Sequence, residues 1–167
     1  HDPTHSNIGF VVRHMMITNV RGSFKSFQAD VSADPDDLTT AQIKVTIDPN
    51  SIDTNNEQRD GHLRSADFFN TEKYPSIEFT STKLKHEGGD EYTLEGSLTI
   101  LGTTKPVTLK CEIVGPAKDP WGNEKIGVVA TGTINRKDFG LNWNAVLETG
   151  GVLVSENVKL EIEMEFV

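Results

Sequence analysis

Apolar and polar residues alternate along most of the chain. Residues 159–166 read Lys159-Leu160-Glu161-Ile162-Glu163-Met164-Glu165-Phe166 without a fault, and 44–48 and 107–113 follow the same rule. From Tyr92 to Ile100 the apolar set is Leu94, Leu98 and Ile100, with Thr93, Glu95, Ser97 and Thr99 between them. A period of two means strands with one apolar and one wetted face, the mark of an antiparallel sheet. Gly88-Gly89 separates an expected strand at 77–85 from one at 91–101, and Gly102-Thr103-Thr104 separates that from 106–114, giving two hairpins. A Pro- and Gly-bearing loop over 115–123 precedes 125–135, and further strands are expected at 7–14, 20–33 and 40–49. The count is about eight strands, several near ten residues and so roughly 30 Å long.

Two segments break the alternation. Thr54-Asn55-Asn56-Glu57 fits a capping box for a short helix over 55–65, with Asp60 and Arg64 spaced for an i, i+4 ion pair. Arg59 or Arg64 is expected to anchor this helix to the sheet. Residues 136–147 read as a helical turn or loop carrying Phe139, Leu141 and Trp143.

Long one-faced strands either pack as two sheets or close into a barrel. Continuing each alternation puts Gly96, Cys111, Ala130 and Gly132 among larger inward residues, which favours a barrel with space inside. The expected wall comprises Phe10, Val12, Val45, Ile47, Ile77, Phe79, Leu98, Ile100, Leu109, Ile113, Val128, Ala130, Leu160, Ile162 and Met164. Such a wall holds a hydrocarbon chain by area: burying about 400 Å² yields on the order of 10 kcal/mol before entropy losses. Phe24, Phe68, Phe69 and Trp143 either contact that guest or, together with Phe10 and Phe79, fill the space as core. Polar contacts are expected at the mouth, from Arg13, His14 and Asn142. His14 has a second reading, as a hydrogen-bonded structural histidine.

Composition narrows the function. Lys plus Arg number 16 and Asp plus Glu 25, a net charge of −9, which argues against nucleic acid as partner. No apolar run approaches the ~18 residues of a membrane span, so stable membrane insertion is not expected. The single cysteine, Cys111, rules out an internal disulfide and reads as a small inward hydrophobe. That cysteine and the lack of a visible signal peptide lean towards the cytoplasm. A periplasmic or secreted location is expected instead if a signal peptide was removed. His1, Asp2 and His5 are read as local hydrogen-bonding residues rather than metal ligands, and no catalytic residue, metal or cofactor is expected. No nucleophile elbow, phosphate loop or His-Glu-x-x-His motif occurs.

Several motifs carry a resemblance over nearly the whole chain. They are Asp2-Pro3-Thr4-His5-Ser6, Val12-Arg13-His14-Met15-Met16, Val20-Arg21-Gly22-Ser23-Phe24, the run Arg59 to Phe69, and Tyr74-Pro75-Ser76-Ile77-Glu78-Phe79. With Gly96 to Lys105 and Asn135 to Leu141, this order and spacing resemble YceI-like proteins. Members of that family have several residues ahead of the Asp-Pro motif, where this sequence has one. The resemblance implies one domain over 1–167: an all-β, extended antiparallel β-barrel, lipocalin-like, with one short helix near 55–65. It also implies a lumen for a polyisoprenoid, an isoprenoid quinone or a fatty-acid-like amphiphile, held by a non-enzymatic binding or carrier protein. The alternatives are an enzyme acting on a lipid-like substrate and a filled-core interaction barrel. A homodimer formed through the barrel rim is a further expectation.

Overall fold

The alternating runs form one curled antiparallel sheet in the computed structural model, which describes residues 1–144 and 154–167. In chain order the elements are β1 (Asn7–His14), β2 (Thr18–Phe24), β3 (Phe27–Asp34), β4 (Asp37–Ile47), β5 (Ile52–Asp53), α1 (Glu57–Arg64), β6 (Ile77–Gly88), β7 (Glu91–Ile100), β8 (Thr103–Lys118), β9 (Glu124–Asn135) and β10 (Val154–Phe166). Their order in the sheet is β3-β4-β6-β7-β8-β9-β10-β1-β2-β5. This is the antiparallel sheet expected from the alternation, in the lipocalin-like form that the family resemblance implies, curled into a half-barrel.

Ten strands stand where the alternation counts about eight. One extra strand is the two-residue β5, too short to show a period. The other arises because the run 20–33 breaks at Lys25 and Ser26. There Ser51, at the end of the 3-10 turn Pro49–Ser51, accepts from the Lys25 N–H at 3.2 Å through its carbonyl and from the Ser26 N–H at 3.0 Å through its hydroxyl. The Ser26 carbonyl in turn accepts from the Asp48 N–H at 3.0 Å. The break has a consequence for shape. β2 pairs with β1 on one side of the half-barrel, and β3 pairs with β4 on the other. β3, at one end of the sheet order, thus follows β2, next to the other end, after only two residues, so chain continuity draws the curled sheet around its interior.

Turn chemistry sets the register. Leu101 and Gly102 both have positive φ (52° and 72°), the two-residue turn that matches strand twist, and Ile100 pairs directly with Thr103. The turn is thus one residue earlier than the Gly102-Thr103-Thr104 expected. Gly89 (φ 55°) and Asp90 make the preceding hairpin turn, between the paired Gly88 (φ 125°) and Glu91.

The helix is shorter than expected and is capped differently. Asn56 is its N-cap, accepting the Arg59 N–H at 3.0 Å, while Thr54 is buried beneath it. The buried Asp60 carboxylate accepts from both the Thr54 N–H at 2.9 Å and the Thr54 hydroxyl at 2.5 Å. Asp60 therefore does not pair with Arg64. Arg64 reaches back to the Asn50 carbonyl at 3.0 Å, with its Nη1 3.7 Å from exposed Glu57. Arg59 donates to the Thr54 hydroxyl and carbonyl, each at 2.7 Å. Both arginines thus tie α1 to the segment around β5, as the anchoring role requires. In the second non-alternating segment a 3-10 turn spans Arg136–Phe139 and ends on left-handed Gly140. The expected end of that segment, at Leu147, lies outside the described residues. Among the described residues no helix is long and apolar enough to cross a membrane.

Candidate functional site: an apolar cavity inside the curled sheet

The inward face encloses a cavity of about 450 Å³, within the ~300–1,000 Å³ typical of small-molecule sites. Its wall includes Phe10, Val12 and His14 from β1, Phe24 from β2, Val45 and Ile47 from β4, and Ile77 and Phe79 from β6. Leu98 and Ile100 of β7, Leu109 and Ile113 of β8, Val128 and Ala130 of β9, and Leu160, Ile162 and Met164 of β10 continue it. Phe68 and Phe69, just beyond α1, and Trp143 complete the set named from sequence. Arg13 also borders the cavity, whereas Asn142 is exposed and does not. Asn142 leaves the 3-10 turn pointing outward, a direction the alternation rule does not cover.

The space arises differently from the sequence-based expectation. Gly96 and Gly132 do not leave volume. A Cβ at Gly96 would lie 2.4 Å from the Phe79 ring, and one at Gly132 would lie 2.5 Å from Leu109 Cδ2. Gly22 is covered in the same way by the Phe10 ring at 2.4 Å. Each glycine lets a large neighbour lie against the wall instead of projecting inward. Two small residues, Cys111 on β8 and Ala130 on β9, stand opposite each other and leave width there, with Ile162 of β10 beyond Ala130.

The other rings gather at one end. Phe24 meets Phe10 at 5.7 Å and Phe69 edge-on at 5.8 Å. Phe68, His62 and Trp143 form a second group, with centroid distances of 4.8–5.3 Å. His62 holds its orientation through Nε2, 2.8 Å from Asp67. All of these rings, Phe68 and Phe69 included, border the cavity.

Arg136, Arg59 and Thr54 at the wall are engaged with protein groups. Arg136, 3 % exposed, donates to the carbonyls of Leu141 (2.6 Å), Ser155 (2.8 Å), Trp143 (2.9 Å) and Val154 (3.2 Å). Burial lowers its pKa from the ordinary guanidinium value, an effect opposed by Glu156. Thr54 and Arg59 satisfy one another, as above. Burial pushes the Cys111 thiol up to about 11, so it contributes to the wall as a neutral, weakly polar surface.

Sequence reasoning missed His62, Leu63, Thr54, Arg59 and Arg136 at this wall. It also left Ile43, Leu94, Ile126 and Ile134 out of the wall, although these lie on the inward parity of their own strands, whereas Leu84 faces inward only because a bulge between Ser81 and Lys83 flips the parity of β6. No comparable signal marks His62 or Arg136, because helix and turn residues do not follow a period of two.

At the end of the half-barrel away from α1, the N-terminal segment is fastened to β9 and β10. The Asp2 N–H donates to the Glu165 carbonyl at 2.7 Å, and Lys125 Nζ lies 2.6 Å from Glu165 and 3.4 Å from Asp2. His5 Nδ1 is 3.0 Å from the Asp2 carboxylate. Asp2, His5 and Glu165 thus converge, with the Lys125 ammonium as the cation among them. Hydrogen bonds from His5 and Thr4, and then Lys125, hold the Asp2 carboxyl well below the usual carboxylate range. A lowered folded-state pKa contributes stability above the unfolded value of about 3.9, and this is lost as pH falls through the folded value. The contribution of Asp2 to the fastening is therefore expected to fade as pH falls below about 3.9. A carboxyl NMR titration should give Asp2 a midpoint well below 3.9, raised in Lys125→Met; an ordinary midpoint in the unaltered protein would refute the network.

A curled antiparallel sheet around an apolar cavity, capped by a short helix, defines the lipocalin-like class of barrel. Within that class the chain belongs to the YceI-like family, whose domain model matches residues 1–166. Its relatives include a UPF0312 protein of Staphylococcus epidermidis, 42% identical over 166 residues, covering 99% of this chain and 94% of that protein. The Campylobacter jejuni YceI protein superimposes with a TM-score of 0.80 at 36% identity, over 92% of this chain and 88% of that one. Burkholderia cenocepacia BcnA shares the fold with a TM-score of 0.87 at 23% identity, over 99% of both chains. A polyisoprenoid binding domain from Saccharophagus degradans, implicated in plant cell wall breakdown, shares it with a TM-score of 0.68 at 17% identity, over 96% of this chain and 92% of that one.

Proposed function

We propose that this protein shields a long isoprenoid chain, such as the tail of an isoprenoid quinone, from water and carries it inside the half-barrel. The observation that carries this reading is the wall itself. Leu, Ile, Val and Phe line nearly all of it, and the cationic Arg59 and Arg136 beside it are already bonded to protein oxygens. A guest in such a space gains by area and shape, not by hydrogen bonds, which suits a methyl-branched hydrocarbon. The fold shared with a polyisoprenoid binding domain supports the same chemistry. Orientation would come from the polar rim, where Arg13 and His14 can meet a head group. Binding rather than turnover is the reading the wall favours, since Cys111 is held neutral and Asp60 is tied to Thr54.

The test is native purification from cells, organic extraction and mass spectrometry. A prenyl or acyl compound near one equivalent per chain is expected. Protein that emerges empty and also fails to take up added prenyl quinone in detergent would overturn the reading. Chemical conversion of the bound lipid would favour an enzyme instead.

A further inference from the structure

The turn joining β1 to β2 carries three consecutive exposed apolar residues, Met15, Met16 and Ile17, at 44 %, 57 % and 71 % exposure. Solvent-facing turns favour Gly, Asn and Asp, above all where φ is positive. Here Met15 and Met16 both adopt positive φ, 52° and 62°. The backbone thus accepts an unfavourable conformation while presenting large apolar side chains to solvent. The turn is also held in place. The Ile17 N–H and the Thr18 hydroxyl donate to the His14 carbonyl at 3.2 and 3.4 Å, and Arg13 Nε donates to the Met16 carbonyl at 3.2 Å.

Its position gives this tip a use. Val12, Arg13, His14 and Val20, which flank it on both strands, all border the cavity. In the whole stretch Asn7 to Val20 the sole Lys, Arg, Asp or Glu is Arg13, in a chain of net charge −9. The tip thus joins exposed apolar side chains to one cation of its own, Arg13, while Glu156 on the neighbouring strand is paired with Lys137, the combination that suits a surface of anionic phosphates over hydrocarbon. We infer that the Met15-Met16-Ile17 tip dips into a phospholipid bilayer, with Arg13 at the phosphate level, and so sets the mouth of the cavity against the membrane. A guest chain then passes between bilayer and cavity without crossing water. This inference rests on the proposed function for its purpose, but the docking itself is measurable without it. A second copy of the chain seated on the tip would instead cover the mouth.

The experiment compares the full chain with Met15→Ser/Met16→Ser/Ile17→Ser, with Arg13→Gln, and with Trp121→Ser. Trp121 is 83 % exposed in the β8–β9 turn at the opposite end, and so serves as a control. Cosedimentation uses phosphatidylcholine vesicles with and without phosphatidylglycerol. A fluorescent prenyl probe reports transfer from vesicles and, separately, affinity in detergent micelles. The triple variant is expected to lose at least about tenfold in vesicle binding and in transfer rate, consistent with three apolar side chains leaving the bilayer, while keeping its detergent affinity. Arg13→Gln is expected to remove the preference for phosphatidylglycerol, and Trp121→Ser to bind vesicles as the unaltered chain does. Vesicle binding unchanged in the triple variant overturns the proposal. So does loss in the Trp121 variant alone, or a dimer of the unaltered chain that the triple variant dissolves without any vesicle binding. Failure of the unaltered chain to bind the probe in detergent defeats the carrier reading, whereas cosedimentation still decides the docking.

Discussion

Replacing Ala130 with phenylalanine is expected to weaken prenyl-chain binding at least tenfold while the protein stays folded. Ala130 borders the cavity at 3 % exposure, midway along β9, with Cys111 on one neighbouring strand and Ile162 on the other. Its small side chain, opposite Cys111, leaves the interior wide there. A ring there would project into the cavity of about 450 Å³, where a guest would otherwise lie. In a close-packed core the same change typically costs about 1–3 kcal/mol through overpacking. Here the ring has open volume to enter, so the expected stability loss is below about 1 kcal/mol. The measurements are prenyl-probe titration and thermal unfolding of both proteins. Unaltered affinity would show that the guest lies elsewhere. Loss of the fold would show that the interior is already filled by the protein's own side chains.

Replacing Arg136 with leucine is expected to lower stability by about 3–5 kcal/mol, because backbone acceptors closing one end of the half-barrel lose a buried charged donor. The guanidinium gathers four carbonyls, those of Leu141, Trp143, Val154 and Ser155, from either side of the segment before β10. Leucine matches the apolar part of the side chain but supplies no donor. Each buried carbonyl left without a partner costs about 1–3 kcal/mol, and relaxation recovers some of that. For a chain of this size the melting temperature should fall by roughly 10 °C. Arg136→Lys is expected to restore only part of the loss, since an ammonium cannot reproduce the planar fork of donors. Trp143, whose carbonyl is one of the four, offers a fluorescence signal for the same event. A melting temperature within about 2 °C of the unaltered protein, less than the shift of a single kcal/mol, would show that water replaces the guanidinium at little cost.

These two residues also mark how far the sequence could be read. Ala130 was legible because it sits in an alternating run, where parity alone assigns a face. Leu98, Ile113, Val128 and Ile162 were legible for the same reason. Arg136 was not, because it begins a 3-10 turn and its partners lie up to nineteen residues away. Asp60 shows the same limit in another form. Its spacing from Arg64 suited a surface ion pair, yet it turns under the helix to hold buried Thr54. Helical spacing states which side chains are near each other, but it does not state which has a better partner beneath.

Glycine gives a subtler case. From sequence, Gly96 and Gly132 suggest gaps in the wall, and their inward parity is right. Whether a gap remains depends on the neighbouring strand, and there Phe79 and Leu109 lie across them. The turn residues Met15 and Met16 were equally visible in the sequence, but nothing in their order shows that they point into solvent beside the cavity mouth.

The sequence by itself determined most of the strands, the apolar face and the motifs that mark the family, because these follow from local period and motif order. Tertiary structure alone decided how the sheet curls through Lys25 and Ser26, where rings lie flat to leave room, and which buried polar groups find partners. The physical reason is that alternation fixes the face of each residue within its own strand, whereas enclosed volume and hydrogen-bond satisfaction depend on atoms brought together from distant parts of the chain.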